Sequence, residues 1–202
     1  MIHSTLEVIK SRIQLLLQEK QPILIAIDGR CGAGKTTLAA DLQMLCSCNV
    51  VHMDHFFLRP EQCTPERLNT AGGNVDHERF LQEVLIPLNR SEALSYRPYD
   101  CQTQALTEEI QISPKPINII EGSYSCHPSL NKYYDLTIFL TIDETEQMHR
   151  IECRNGKSAA LQFREKWIPL EERYFSAYSI AEFCDLRFHM GNSTARQVNT
   201  DA

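Results

Sequence analysis

The chain has 202 residues, 43% hydrophobic and 23% charged, which is enough apolar material for one core beneath a charged surface. Its 20 basic and 26 acidic residues leave a formal net charge of −6, which argues against a broad nucleic-acid-binding face. Eight cysteines form no CxxC pair and no zinc-finger spacing, and no apolar run approaches the roughly 20 residues that cross a bilayer; neither a disulfide scaffold, a structural zinc site nor a membrane span is expected. Charges run through "MIHSTLEVIKSRIQLLLQEK", without the apolar core of a signal peptide, so the chain reads as a reduced, cytoplasmic protein.

In chain order, Leu6, Ile9, Ile13 and Leu16 recur at helical spacing and predict an amphipathic helix over 2–20, ended by Pro22. "ILIAI" then reads as a fully buried strand, followed by a helix whose apolar face carries Leu38, Leu42 and Leu45. "NVVHM", "INIIEG" and "LTIFLTI" read as further strands, and "DLRFHM" as a weaker fifth. Between them lie a helix with Leu81, Val84, Leu85 and Leu88, and another with Met148 and Ile151, opened by an Asp143–Glu146 capping box. Trp167, Leu170, Tyr174, Ala177 and Ala181 share one late helical face, and Pro169 marks a kink or a fresh start. Residues 92–116 interrupt the alternation as a polar excursion with hairpin character. Buried strands alternating with helices imply an α/β fold, a three-layer sandwich around a parallel sheet of about five strands. The whole of 1–202 reads as one domain, with an insertion at 55–112 and a lid at about 143–168.

"GRCGAGKT" fits GxxxxGK[ST] at Gly29, Gly34, Lys35 and Thr36, between a predicted strand and a predicted helix, which is the context the motif requires. Glycines let successive N–H groups turn inward around an anion, and the helix N-terminus adds partial positive charge. Gly29, Arg30, Cys31, Gly32, Ala33, Gly34, Lys35, Thr36 and Thr37 are therefore the candidate ATP-binding residues, with Lys35 reaching the outer phosphates and the Thr36 hydroxyl coordinating Mg²⁺. Cys31 sits beside Lys35 and the helix N-terminus, surroundings that favour a lowered thiol pKa without implying a redox role. Asp54 and Glu121 end strands that run to the same edge of the sheet. Glu121 is a candidate to hold Mg²⁺, directly or through water, and Asp54 a candidate base. His52, His55 and His77 lack a second ligand at fixed spacing, and none is read as a zinc ligand.

"IDGRCGAGKTTLA", "VHMDHFF", "GGNVDHERF", "YRPYD" and "IIEGSY" occur in an order that resembles the uridine kinase-like branch of P-loop kinases, which includes phosphoribulokinase-like and pantothenate kinase-like enzymes. The resemblance covers roughly residues 22–156. It implies an ATP- and Mg²⁺-dependent kinase acting on a small-molecule hydroxyl. Asp54 matches the acid that takes the acceptor hydroxyl's proton, and Asp76 one that holds ribose hydroxyls. Tyr99 and Asp100 match an acceptor-pocket pair. Arg97 and Gln104 in the same "YRPYDCQTQ" segment join the candidate acceptor-binding set, and Arg150 and Arg154 match lid arginines that close on the phosphates. The branch usually has a base-contacting histidine where this chain has Gln104. Its lid arginines also stand closer together, and Arg164 and Lys166 are candidates to supply the missing charge.

The reading is a kinase of a nucleoside-like acceptor. The alternatives are a kinase of a pantothenate- or sugar-type alcohol, or a nucleotide-dependent regulatory ATPase with a protein partner. Adenine contacts are expected from late loops such as "HMGN" at 189–192, neither nucleic acid nor a membrane is expected as a partner, and a homo-oligomer is compatible with the sequence.

Overall fold

The computed structural model describes residues 2–191 and 195–197; Asn192 of the "HMGN" segment lies outside the described residues. Helix α1 (Ile2–Glu19) precedes strand β1 (Ile23–Gly29), which runs through the phosphate loop into α2 (Lys35–Leu45) and then β2 (Cys48–His52). The excursion follows. It holds two short 3-10 turns, a four-residue helix α3 (Pro65–Leu68), and α4 (His77–Phe80) continuing through a π turn into α5 (Ile86–Asn89). Strands β3 (Leu94–Tyr96), β4 (Tyr99–Asp100), β5 (Ala105–Leu106) and β6 (Ile110–Ile112) make nested antiparallel pairs, β3 with β6 and β4 with β5. The chain returns through β7 (Ile117–Glu121), β8 (Leu136–Thr141), α6 (Glu144–Gln162), a π turn (Phe163–Trp167), α7 (Ile168–Tyr178), α8 (Ile180–Phe183), β9 (Leu186–Met190) and β10 (Ala195–Gln197).

The main sheet has the order β10-β9-β8-β1-β7-β2. Five of its strands are parallel, as the alternation predicts, and β10 adds an antiparallel sixth. Alternate residues of β1 face opposite layers: Ile23, Ile25 and Ile27 pack with α1 and α2, whereas Leu24 and Ala26 join Val51, Phe56, Phe80, Val84 and Tyr174 on the other side. This two-sided burial is why β1 reads as an unbroken apolar run rather than an alternating one. The register sets the carboxyl ends level, with Ile27 and His52 both opposite Glu121 and Gly29 opposite Leu140. A third, smaller cluster of Cys31, Ile151 and Ala160 joins the lid to the phosphate loop.

Several local expectations change. Leu38 and Leu42 are buried but Leu45 is 53% exposed, because α2 ends there and the chain turns into β2. Asp143 is the N-cap of α6 without a side-chain cap; it pairs with His189 Nε2 at 3.2 Å, and Glu146 takes Arg150 at 2.8 Å instead of reaching back. Within α6, Gly156 breaks the helix at φ 81, ψ 165. Pro169 lies just past the π turn in a helical path that runs unbroken from the end of α6 into α7, so it marks an irregularity within one helix rather than a fresh start. The buried face of α7 is Glu171, Tyr174 and Phe175, while Ala177 is exposed.

Because α2 docks through Leu42 and not through Leu45, Leu42→Ala should cost about 2–5 kcal/mol through the cavity it leaves. Leu45→Ala should stay within about 0.5 kcal/mol. Urea unfolding of the two variants checks the pair, and equal losses would contradict this packing.

Candidate active site

The site begins with a buried acid at the end of β1. Asp28 has no exposed surface, and its carboxylate accepts four hydrogen bonds. Oδ1 takes the Gly29 N–H at 2.6 Å and the Tyr124 N–H at 3.1 Å; Oδ2 takes the Cys126 N–H at 2.8 Å and the Tyr174 hydroxyl at 2.9 Å. Burial pushes its pKa up to about 6, against the downward pull of these donors and of Lys35. Gly29 follows at φ 129, where a Cβ would lie 2.0 Å from the Leu140 carbonyl oxygen, so only glycine lets the loop leave the sheet here.

Lys35 folds back over the loop. Its Nζ donates to the Gly29 carbonyl at 2.5 Å, the Arg30 carbonyl at 3.1 Å and Ser123 Oγ at 3.2 Å. The Thr36 hydroxyl lies 3.1 and 3.2 Å from the two Glu121 oxygens, and Glu121 also accepts from His52 Nδ1. That bond holds the His52 pKa above its ordinary value. Asp54 stands in the 3-10 turn after β2 (Met53–Phe56), exposed toward the cleft yet closely walled. Desolvation raises its pKa, Lys35 opposes this, and Glu121 and Glu171 reinforce it. Gly122 permits the approach: at φ 134, its Cβ would lie 2.9 Å from Met53 Cβ and 3.4 Å from Asp54 Oδ1.

Lys35, Thr36, Glu121 and Asp54 are thus brought together as the sequence predicts. The thiol of Cys31 is a correction. Burial, and then the charge of Glu171, push it up to about 12, outweighing Lys35, so it is not an activated thiol. Arg150 touches the loop: Nε pairs with Glu146, and the terminal nitrogens reach the Gly32 carbonyl at 3.4 Å and the Met190 carbonyl at 3.0 Å. Arg154 is exposed and bonds Asn155 at 2.7 Å, away from the loop. Arg164 and Lys166 are exposed in the π turn, with the Lys166 amine 4.5 Å above the Trp167 ring.

On the excursion, Asp76 is buried and caps α4 through the Arg79 N–H at 3.0 Å while accepting Gln62 Nε2 at 2.6 Å. It lines a cavity of about 310 Å³ with Leu58, Gln62, Arg67 and Glu78. Arg67 grips Glu78 with two bonds of 2.6 Å, holding that carboxyl down to about 2. His77 stacks on His127 with centroids 4.2 Å apart. The hairpin residues are mostly engaged with their own strands. Arg97 donates to the Thr107 and Leu106 carbonyls, Asp100 accepts the Gln102 N–H and Thr103 hydroxyl, and Gln104 is exposed at φ 53. Tyr99 is buried. The Cys101 thiol in the same turn is raised by desolvation, by Asp100 and then by Asp54.

Sequence reasoning missed Asp28, Ser123, Glu171 and the Arg67–Glu78 pair. An acid closing the buried run "ILIAID" was a usable signal for Asp28; Glu171 meets the loop from 140 residues away and left none.

The donor set suits magnesium. Among the described residues no group of three histidine, cysteine or acidic side chains could hold a metal ion by itself. The Thr36 hydroxyl and the Glu121 carboxylate offer hard oxygens, and Mg²⁺ takes one or two such protein ligands with phosphate and water completing the shell.

The glycine-bearing loop between β1 and α2, at the carboxyl edge of a parallel sheet, defines a three-layer α/β P-loop fold. A solved structure described as a possible uridine kinase from Bacillus stearothermophilus shares this fold at a TM-score of 0.62 and 19% identity, covering 89% of this chain and 98% of that one. No family model matches the chain. Curated relatives include a uridine kinase of Ureaplasma parvum serovar 3, 27% identical over 176 residues, covering 78% of this chain and 84% of the relative. A uridine kinase of Bacillus licheniformis is 29% identical over 149 residues, covering 68% and 69%. The chain is thus similar in sequence to uridine kinases and shares its fold with P-loop kinases. No described helix is long and apolar enough to cross a membrane.

Asp28→Asn turns an amide nitrogen toward donors and should cost about 2–3 kcal/mol. The folded pKa of Asp28 lies above its ordinary 3.8, so its stabilising contribution is complete below pH 3.8 and is lost as pH rises through about 6. The stability gap between parent and variant should be widest near pH 4 and narrow toward pH 7. Urea unfolding across that range tests the sign, and a gap that widens with pH would refute it.

Proposed function

We propose that this protein is an ATP-dependent small-molecule kinase that transfers the γ-phosphoryl group to a hydroxyl of a nucleoside-like acceptor. The carrying observation is the meeting of Lys35, the Thr36–Glu121 pair and Asp54 at one sheet edge. The uridine kinase-like sequence and fold support it.

In this reading the loop amides and Lys35 take the triphosphate. Lys35 exchanges its two carbonyl partners for phosphate oxygens, a stronger, charge-assisted bond. Thr36 and Glu121 hold Mg²⁺, which when bound supplies charge neutralisation at the phosphates. Asp54 orients the acceptor hydroxyl and takes its proton; a raised pKa makes it the better base as long as it stays ionised. The acceptor occupies the cavity on the excursion lined by Asp76, Gln62 and Arg67. Arg150 already contacts the loop and is placed to turn from its carbonyl partners to the transferring group. Arg154 requires lid movement to do so, and the break at Gly156 is where the lid can bend.

Asp54→Asn should lower kcat by about 10²- to 10⁴-fold with ATP affinity kept. Asp76→Ala should first raise the acceptor KM. Steady-state kinetics against uridine, cytidine, pantothenate and sugar alcohols, with the phosphorylated product identified, test both roles and the acceptor class together. ATP hydrolysis that no alcohol stimulates would favour the regulatory ATPase.

A further inference from the structure

The phosphate loop of this structure already carries a carboxylate. Glu171 is 6% exposed on α7 and reaches across to the loop. Its Oε2 accepts the Cys31 backbone N–H at 3.0 Å, and its Oε1 accepts the Ser123 hydroxyl at 2.6 Å. Ser123 in turn accepts from Lys35 Nζ at 3.2 Å. The next residue, Glu172, takes Arg30 through Nε at 2.8 Å and a terminal nitrogen at 3.1 Å. Two consecutive acids of one helix therefore hold the loop at an amide, at its arginine and, through one hydroxyl, at its lysine. An amide in such a loop serves any oxyanion, a carboxylate oxygen as well as a phosphate oxygen.

We propose that Glu171 is an internal competitor for the phosphate loop, seated on the Cys31 amide until the terminal phosphate of a nucleoside triphosphate takes that amide and shifts α7. The inference rests on reading this loop as the nucleotide site. Two anions cannot share one N–H without strong repulsion in so enclosed a place. Cys31 lies on the strand side of the loop, ahead of Gly34, Lys35 and Thr36 at the start of α2, so a diphosphate seated on the helix end meets less of Glu171 than a triphosphate does. The competitor thus sets a preference for which nucleotide the loop holds and links its arrival to the helix that follows the lid.

The chain has one tryptophan, Trp167, in the π turn directly before α7 with its ring against Phe57, so its emission reports movement there. The experiment measures binding of ADP and of a non-hydrolysable ATP analogue by calorimetry, in the parent and in Glu171→Gln, alongside Trp167 fluorescence. Glutamine keeps the shape and one acceptor oxygen. The analogue should bind the variant about tenfold more tightly, roughly one decade of Kd, with ADP within about twofold. In the parent, the analogue and not ADP should change the emission. Unchanged or weaker analogue binding in a variant that still binds ADP overturns the inference, as does a lost kcat with unaltered affinities, which would place Glu171 in the reaction itself. If the variant does not fold, equal emission changes with ADP and analogue in the parent overturn it as well. A parent that binds neither nucleotide overturns the kinase reading and this inference with it.

Discussion

The buried carboxylate of Asp28 is the constraint on which the rest of the site hangs. It ends the central strand and binds, at once, the first amide of the phosphate loop, two amides of the turn after β7, and the hydroxyl of Tyr174 on α7. Those three segments are far apart in sequence, and no apolar contact would fix their relative positions as tightly as four bonds to one small group. The turn it holds includes Tyr124 at φ 76, a conformation a bulky residue keeps only where its surroundings over-determine it. Ser123 and Glu171 owe their places to this anchor, each standing within three residues of an Asp28 partner. The cost is a charge without solvent, visible in the raised pKa.

Around that anchor the electrostatics are crowded with acids. Asp54, Glu121 and Glu171 all act on the neighbourhood of a single lysine, and Asp54 is raised by the other two. Such a cluster is tolerable because each member has a partner: His52 for Glu121, Ser123 and an amide for Glu171, open solvent on one side for Asp54. It is also poised, since incoming phosphates with their metal ion would redistribute every one of these charges. Burial first, and then the charge of Glu171 from this cluster, keep the Cys31 thiol protonated although it sits by a lysine and a helix N-terminus.

The excursion between β2 and β7 solves a different problem. Its helical part leans on the main sheet through Phe80 and Val84, and it walls a polar cavity with paired groups. Arg67 with Glu78, Asp76 with Gln62, and His77 stacked on His127 stiffen a segment built of four-residue helices and two-residue strands. Arg97 and Asp100 serve the hairpin in the same way, so residues that a motif would assign to a ligand also have a structural occupation here.

The sequence by itself determined the sheet, its five parallel strands, the phosphate loop and the two acids at the strand ends. These are local patterns: continuous apolar runs, 3.6-residue periodicity, and glycines at fixed spacing, each written within a dozen residues. Register then made the strand-end predictions sound, because level parallel strands carry Glu121 and His52 side by side and bring Asp54 to the same edge. Tertiary structure decided what depends on encounters between distant segments. Leu45 is exposed because the helix stops before reaching the sheet, and Asp143 leaves its cap because His189 arrives from another strand. Glu171 has no motif around it; on a helix pattern it is one acid of a pair, and only the packing of α7 beneath the loop turns it inward onto the Cys31 amide. The sign of the Cys31 shift was decided there too, since desolvation and an opposing charge are properties of a folded neighbourhood and not of a spacing.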